Sequence, residues 1–235
     1  MKHIIYMKKT VWMLLFAAGA ALASCSEEEL DPQSIFDVSS PERTSFDTWL
    51  YMNYTVPYNI QFNYKYIDRE SDNTYNLVPA DIEKAEVMAK VTKYLWIDSY
   101  TELLGPEFMM TYCPRMIQLI GSKAYNSQGS VVLGTAEGGQ KITLYNVNEL
   151  DIKNLSISFL NYWFFKTMHH EFAHILHQTK NYSTDFNLIS TDYQGPSWLN
   201  LEDDAQANRM GYVTRYASYA PDEDFVEIIS NYVTN

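Results

Sequence analysis

The sequence predicts an α+β fold: a small mixed sheet, one buried helix, and a mainly helical C-terminal part. Three observations lead there. Short strand-like runs (NIQFNYKYI, RMIQLIG, ITLY) are punctuated by Pro and Gly. Residues 156–179 form a long segment that is apolar almost all round, as a helix inside a core is. After a polar stretch with Gly195-Pro196, the chain closes on EDFVEIISNYV, which reads as an amphipathic helix. With 235 residues, 46% of them hydrophobic, there is enough for one sizeable core and one domain.

The elements follow in order. Residues 1–24 read as an export signal. Lys2, Lys8 and Lys9 supply the positive region, and residues 11–22 are apolar. The run Leu22-Ala23-Ser24-Cys25 resembles a bacterial lipobox, which predicts cleavage before Cys25 and acylation of its thiol. Cys113 then has no cysteine to pair with. Residues 25–43 read as an acidic tether, and the folded domain is expected over 44–235. Glu27 to Glu29, just after the lipidated residue, resemble a signal for the cell surface.

Within the domain, SFDTWLYMNY reads as a short helix capped by Ser45. Ile60, Phe62, Tyr64 and Tyr66 alternate as one face of a strand. Residues 79–104 read as one helix, capped by Asp81, with Ile82, Ala85, Ala89, Trp96 and Leu103 on its apolar face and Gly105-Pro106 as its stop. A hairpin is expected from Val131–Leu133 to Ile142–Tyr145, turning at Glu137-Gly138-Gly139. Its strand around 141–147 is a plausible sheet edge for an extended peptide. The segment 205–220 stays ambiguous.

Charge narrows the partners. There are 29 acidic against 17 basic residues, and three of the basic ones lie in the leader. Nucleic acid and anionic membrane surfaces are therefore not expected partners.

The chemistry sits in HEFAH, residues 170–174. On a helix, positions four apart differ by about 40° in azimuth and about 6 Å along the axis. His170 and His174 can thus share one zinc ion. Glu171, about 100° round, sits beside the metal, where a general base belongs. Burying two imidazoles and a carboxylate without partners would be costly, which favours a bound metal. These features make the predicted fold zincin-like. The metzincin pattern needs Gly at 177 and His at 180, where this chain has His177 and Lys180, so that class is excluded. His169 is expected to be structural, and His177 lies too far along the helix to ligate comfortably. No histidine follows His177, so a third ligand must be a carboxylate: Glu202, Asp203, Asp204, Glu223, Asp224 or Glu227. Phe225, Ile228 and Ile229 are expected to dock the last helix. Packing residues flank Glu227, which makes it the assigned ligand, with Asp224 expected to orient a histidine.

HHEFAHILHQTKNYSTDF, LGTAEGGQKITLYNVN and EDFVEIISNYVTN together resemble the substrate import-associated zinc metallohydrolase lipoproteins, gluzincin-type metallopeptidases of the outer membrane. That resemblance implies zinc held by His170, His174 and Glu227, with Glu171 as general base. It implies Tyr216, or Tyr219 in its place, as the oxyanion donor. It also implies a peptide or protein substrate, an outer-membrane location through lipidated Cys25, and association with a TonB-dependent transporter. Family members continue past the EDFxE helix, whereas this sequence stops eight residues after Glu227, so the expected domain lacks that tail. Two rival readings use the same residues: a non-catalytic zinc-binding subunit of an importer, and an amidase.

Overall fold

The computed structural model describes residues 42–125, 131–132, 134–137 and 140–235. The leader, Cys25, the tether as far as residue 41 and the turn at 138–139 lie outside the described residues.

Helix α1 (Ser45–Leu50) is capped by Thr44, not by Ser45. Thr44 Oγ1 accepts the Asp47 N–H at 3.0 Å, and the Asp47 carboxylate accepts the Thr44 N–H at 3.0 Å, so each end of this capping box satisfies the other. A π turn (Tyr51–Thr55) and the short α2 (Val56–Tyr58) follow, and Asn59 in the left-handed region ends them. Strand β1 (Gln61–Asn63) is shorter than the alternation suggests. Ile60, Phe62 and Tyr64 are buried as expected, but Tyr64 turns its hydroxyl to Asp47 at 2.7 Å and the chain leaves the sheet there.

The helix expected over 79–104 is present but irregular. Asp81 caps α3 (Ile82–Thr92), a π turn spans Lys93–Ile97, and α4 (Asp98–Leu104) stops at Gly105, whose φ is +87°. The inserted residue of the π turn rotates the apolar face. Ala85, Ala89 and Trp96 are buried, whereas Ile82 and Leu103 are 62% and 79% exposed, against expectation. Pro106 does not end the helical region. It occupies the first turn of α5 (Pro106–Tyr112), a position a proline fits because its missing N–H is not needed there.

The main sheet combines β1, β2 (Met116–Leu119), β5 (Gly134–Glu137) and β6 (Lys141–Leu144) in the order β1-β2-β6-β5. The first three run parallel, with Phe62, Ile117 and Ile142 in register, and β5 is antiparallel to β6. The hairpin therefore exists with a shifted first strand. Val131–Val132 (β4) instead pairs with β3 (Ala124–Tyr125) in a separate two-stranded sheet. The expected edge is also corrected: β6 has neighbours on both sides and is buried throughout, so β5, not β6, is the edge strand at that end of the sheet.

Ser156 caps the segment that carries HEFAH: α6 (Ile157–Leu160), a π turn (Asn161–Phe165) and α7 (Lys166–Thr179). Phe164, Phe165, Met168 and Phe172 sink into the core with Trp96, Ile117, Leu119 and Ile142. The segment is not buried all round, however: Ile157 and Tyr162 face out. A side chain at Gly134 would put its Cβ 2.5 Å from Thr167 Cγ2, so glycine lets β5 lie tight against the first turn of α7.

The polar stretch that follows holds two 3₁₀ turns, Thr184–Leu188 and Gly195–Asn200. The ambiguous region forms α8 (Asp204–Arg209), capped by Asp203, and a 3₁₀ turn at Tyr216–Ser218. Last comes α9 (Pro221–Thr234), packed along α7. Its phase differs from the expected one. Asp224, Val226, Glu227 and Ser230 are the buried positions, and Ile228 is 38% exposed. No helix among the described residues is long and apolar enough to cross a membrane.

Candidate metal centre

The phase of α9 decides the composition of the site. It turns Glu223, half-buried, toward the imidazoles of α7 and drives Glu227 one turn deeper behind them. The Nε2 atoms of His170 and His174 each lie 3.3 Å from the same oxygen, Glu223 Oε2. All three candidate ligand atoms fall within 4.8 Å of one another.

Glu227 does not converge with them. Its Oε1 lies 2.9 Å from His170 Nδ1, the nitrogen on the far side of the ring. Its Oε2 accepts from Thr214 Oγ1 at 2.7 Å and Asn231 Nδ2 at 3.3 Å, and pairs with Lys166 Nζ at 3.3 Å. The assignment of Glu227 as a ligand is thereby corrected: a carboxylate at Nδ1 orients the ring and cannot share the Nε2 side. Asp224 meets no histidine either, and accepts the Tyr193 hydroxyl at 3.0 Å. Of the other carboxylates considered, Asp203 caps α8, Asp204 accepts the Arg215 N–H, and Glu202 is exposed. Glu223 was open to sequence reasoning, since it shares a helical face with Glu227 four residues on; the depth of each could not be read without the docking.

Both imidazoles have their second nitrogen occupied. His170 Nδ1 faces Glu227, and His174 Nδ1 lies 3.0 Å from His177 Nε2. A partner at each Nδ1 fixes its ring and turns Nε2 toward Glu223; with a metal bound, the proton would stay at Nδ1 and the Nε2 lone pair would be free for the ion. His169 is structural, as expected. Burial holds it down to about 4, and its Nδ1 meets the Tyr100 hydroxyl at 2.9 Å.

The electrostatics suit a cation. Burial opposes charge on His170, but Glu223 and Glu227 outweigh it and lift the imidazole to about 9. Burial would raise both carboxylates, yet the hydrogen bonds from His170 hold each at about 2. A proton trapped among carboxylates is one that a divalent metal can displace. Burial raises Glu171 above the usual carboxylate range, with His170 and His174 opposing. Tyr216 is raised by burial first, then by Glu223 and Glu171. Its ring stacks on His170 at 6.0 Å and on Tyr219 at 6.0 Å, with Trp198 edge-on at 5.0 Å.

A cleft of about 580 Å³ opens beside the centre, at His170 and Glu171. It runs from Gly134 on the β5 edge, past His170 and Glu171, to Trp198, Arg215 and Tyr216. Two imidazole nitrogens and a carboxylate oxygen, with a free side toward a cleft and a raised carboxyl beside it, define a zincin-like metallohydrolase.

The comparisons agree. The chain belongs to the family described as "Putative zinc-binding metallo-peptidase", whose model matches residues 39–235. It is also similar to the crystal structure of a protein described as a putative zinc-binding metallo-peptidase from Bacteroides caccae. The two are 46% identical with a TM-score of 0.70, over 86% of this chain and 76% of that one. No functionally curated protein matches. Zinc is the cofactor, and the donor set present here fits it.

Proposed function

We propose that the chain is a gluzincin-like zinc metallopeptidase in which His170, His174 and Glu223 hold the ion. The observation that carries this reading is the meeting of two Nε2 atoms on one Glu223 oxygen, with a hydrogen-bond partner behind each ring. Zinc held there supplies a Lewis acid and a means of lowering the pKa of water.

The remaining roles fall to the protein. Glu171 takes a proton from the attacking water and passes it to the departing amine; its raised pKa suits both halves of that exchange. Tyr216 keeps its phenolic proton at neutral pH and donates it in a hydrogen bond to the carbonyl oxygen as charge develops. An extended peptide can add to the free edge of β5, which borders the cleft, and this favours a peptide or protein substrate. The lipobox extends the reading: lipidated Cys25 anchors the catalytic domain to the outer membrane, facing the cell surface, beside a TonB-dependent importer that takes up the products. Fractionation of wild-type and Cys25→Ala cells tests that location; a wild type found soluble in the periplasm would end it.

The catalytic test is Glu171→Gln assayed against a mixed peptide library, with metal analysis alongside. The variant should keep its zinc and its fold while hydrolysis falls about 10²–10⁴-fold. Full activity would remove Glu171 from the mechanism.

A further inference from the structure

The two imidazoles of the centre are held by unlike neighbours. His170 leans on a buried carboxylate, whereas His174 leans on another imidazole, three residues on along the same helix. We propose that His177 is a positioning residue for the metal centre: its Nε2 accepts the Nδ1–H of His174 and fixes that ring with Nε2 bare toward Glu223. The proposal rests on the reading of His174 as a zinc ligand and adds a residue to it.

The geometry rules out ligation by His177 through this nitrogen, because the contact is on the opposite side of the His174 ring from Glu223. Spacing of i,i+3 on α7 stacks the two rings along one face, with centroids 5.3 Å apart. His177 does not stand loose. Tyr182 lies 5.8 Å from its ring and Phe225 6.3 Å, and Tyr182 stacks on Phe225 at 4.3 Å and 26°. The Tyr182 hydroxyl donates to Asp222 in the first turn of α9, next to Glu223. One aromatic cluster thus ties the acceptor of His174 to the turn that carries the third donor.

Packing alone would be kept by a phenyl ring, and acceptance alone by an amide, so two variants of the full chain separate the roles. Zinc affinity is read by competition with a chelator at fixed pH. His177→Phe should bind zinc about 10–100-fold more weakly, as loss of a partner behind a ligand does, and His177→Gln should stay within about threefold of wild type. Wild-type affinity in His177→Phe, or equal loss in both variants, overturns the proposal. His174→Ala is the control: if it keeps wild-type zinc affinity, the ligand reading beneath the proposal fails instead. A further measurement needs no variant at His177. In the zinc-loaded wild type, the Nδ1–H proton of His174 should resonate in the NMR spectrum as a protected, hydrogen-bonded imidazole proton. Free exchange of that proton with solvent overturns the proposal however the variants fold.

Discussion

Helices α7 and α9 build one centre from opposite kinds of sequence. In α7 the chemistry is carried by spacing: His170 and His174 are four positions apart, and any straight helix presents both on one face. In α9, Glu223 and Glu227 are also four apart on one face, yet they serve different ends. Glu223 is half-buried and meets both Nε2 atoms, whereas Glu227 is 5% exposed and meets Nδ1. Spacing selects a face, and depth along the approach to the partner helix then selects the role.

Exchanging the fates of these two glutamates is the strongest way to break the comparison. Glu223→Ala should abolish stoichiometric zinc binding, and the metal-free protein should lose less stability than with Glu227 removed, because the Glu223 side chain is half-buried and Glu227 is buried. Metal analysis and a thermal melt of the metal-free protein would measure both. A variant that retains one zinc per chain would show that depth is not the criterion.

Glu227→Ala should act in the opposite proportion. Zinc affinity should fall about 10–100-fold, as when an orienting partner is removed. The metal-free protein should lose about 3 kcal/mol, because Lys166 and His170 are left beside an empty buried position. Chemical denaturation with chelator titration reads the two effects separately. Full zinc loss without destabilisation would return Glu227 to the ligand set.

Acidity sharpens the comparison least and reads both helices at once. In the metal-free protein His170 is raised to about 9, so its contribution is complete below about 6.5 and is lost as pH rises through 9. Glu223 and Glu227 are lowered to about 2, so theirs is complete above about 4.5 and lost as pH falls through 2. Metal-free melting temperatures should therefore peak between about pH 4.5 and 6.5. Zinc affinity should rise with pH up to about 9, since the ion must displace the His170 proton. A flat melting profile across that range would remove the charge coupling between the helices.

What sequence reasoning reached and missed follows the same division. Local periodicity and caps located HEFAH, Asp81, the β2 strand and the existence of the last helix, because each is specified by neighbours within a turn or two. The docking phase of α9, the strand that pairs with β6, and the acceptors His177 and Glu227 depend on what lies opposite in space. Phe225, Ile228 and Ile229 read as a docking face on hydrophobicity alone. Burying Val226 with Glu227 instead becomes favourable only once Lys166, Thr214 and His170 are there to satisfy the carboxylate. The π turns escaped for a related reason: a sequence scanned at 3.6 residues per turn assumes that no residue is extra.

The π turn at Asn161–Phe165 has a consequence for descent as well as for geometry. Such a turn is what an α-helix becomes when one residue is inserted and the flanking parts keep their places. Losing any one residue there would let the backbone close into a regular helix, at little expense in hydrogen bonding. Everything downstream would keep its aim, and His170 and His174 would still meet Glu223. The same loss anywhere in the regular helix would swing HEFAH by about 100° and leave the motif spelled correctly but pointed at the wrong neighbours. The π turn is thus the one stretch of this segment where the chain can gain or lose a letter without shifting the reading frame of the metal ligands.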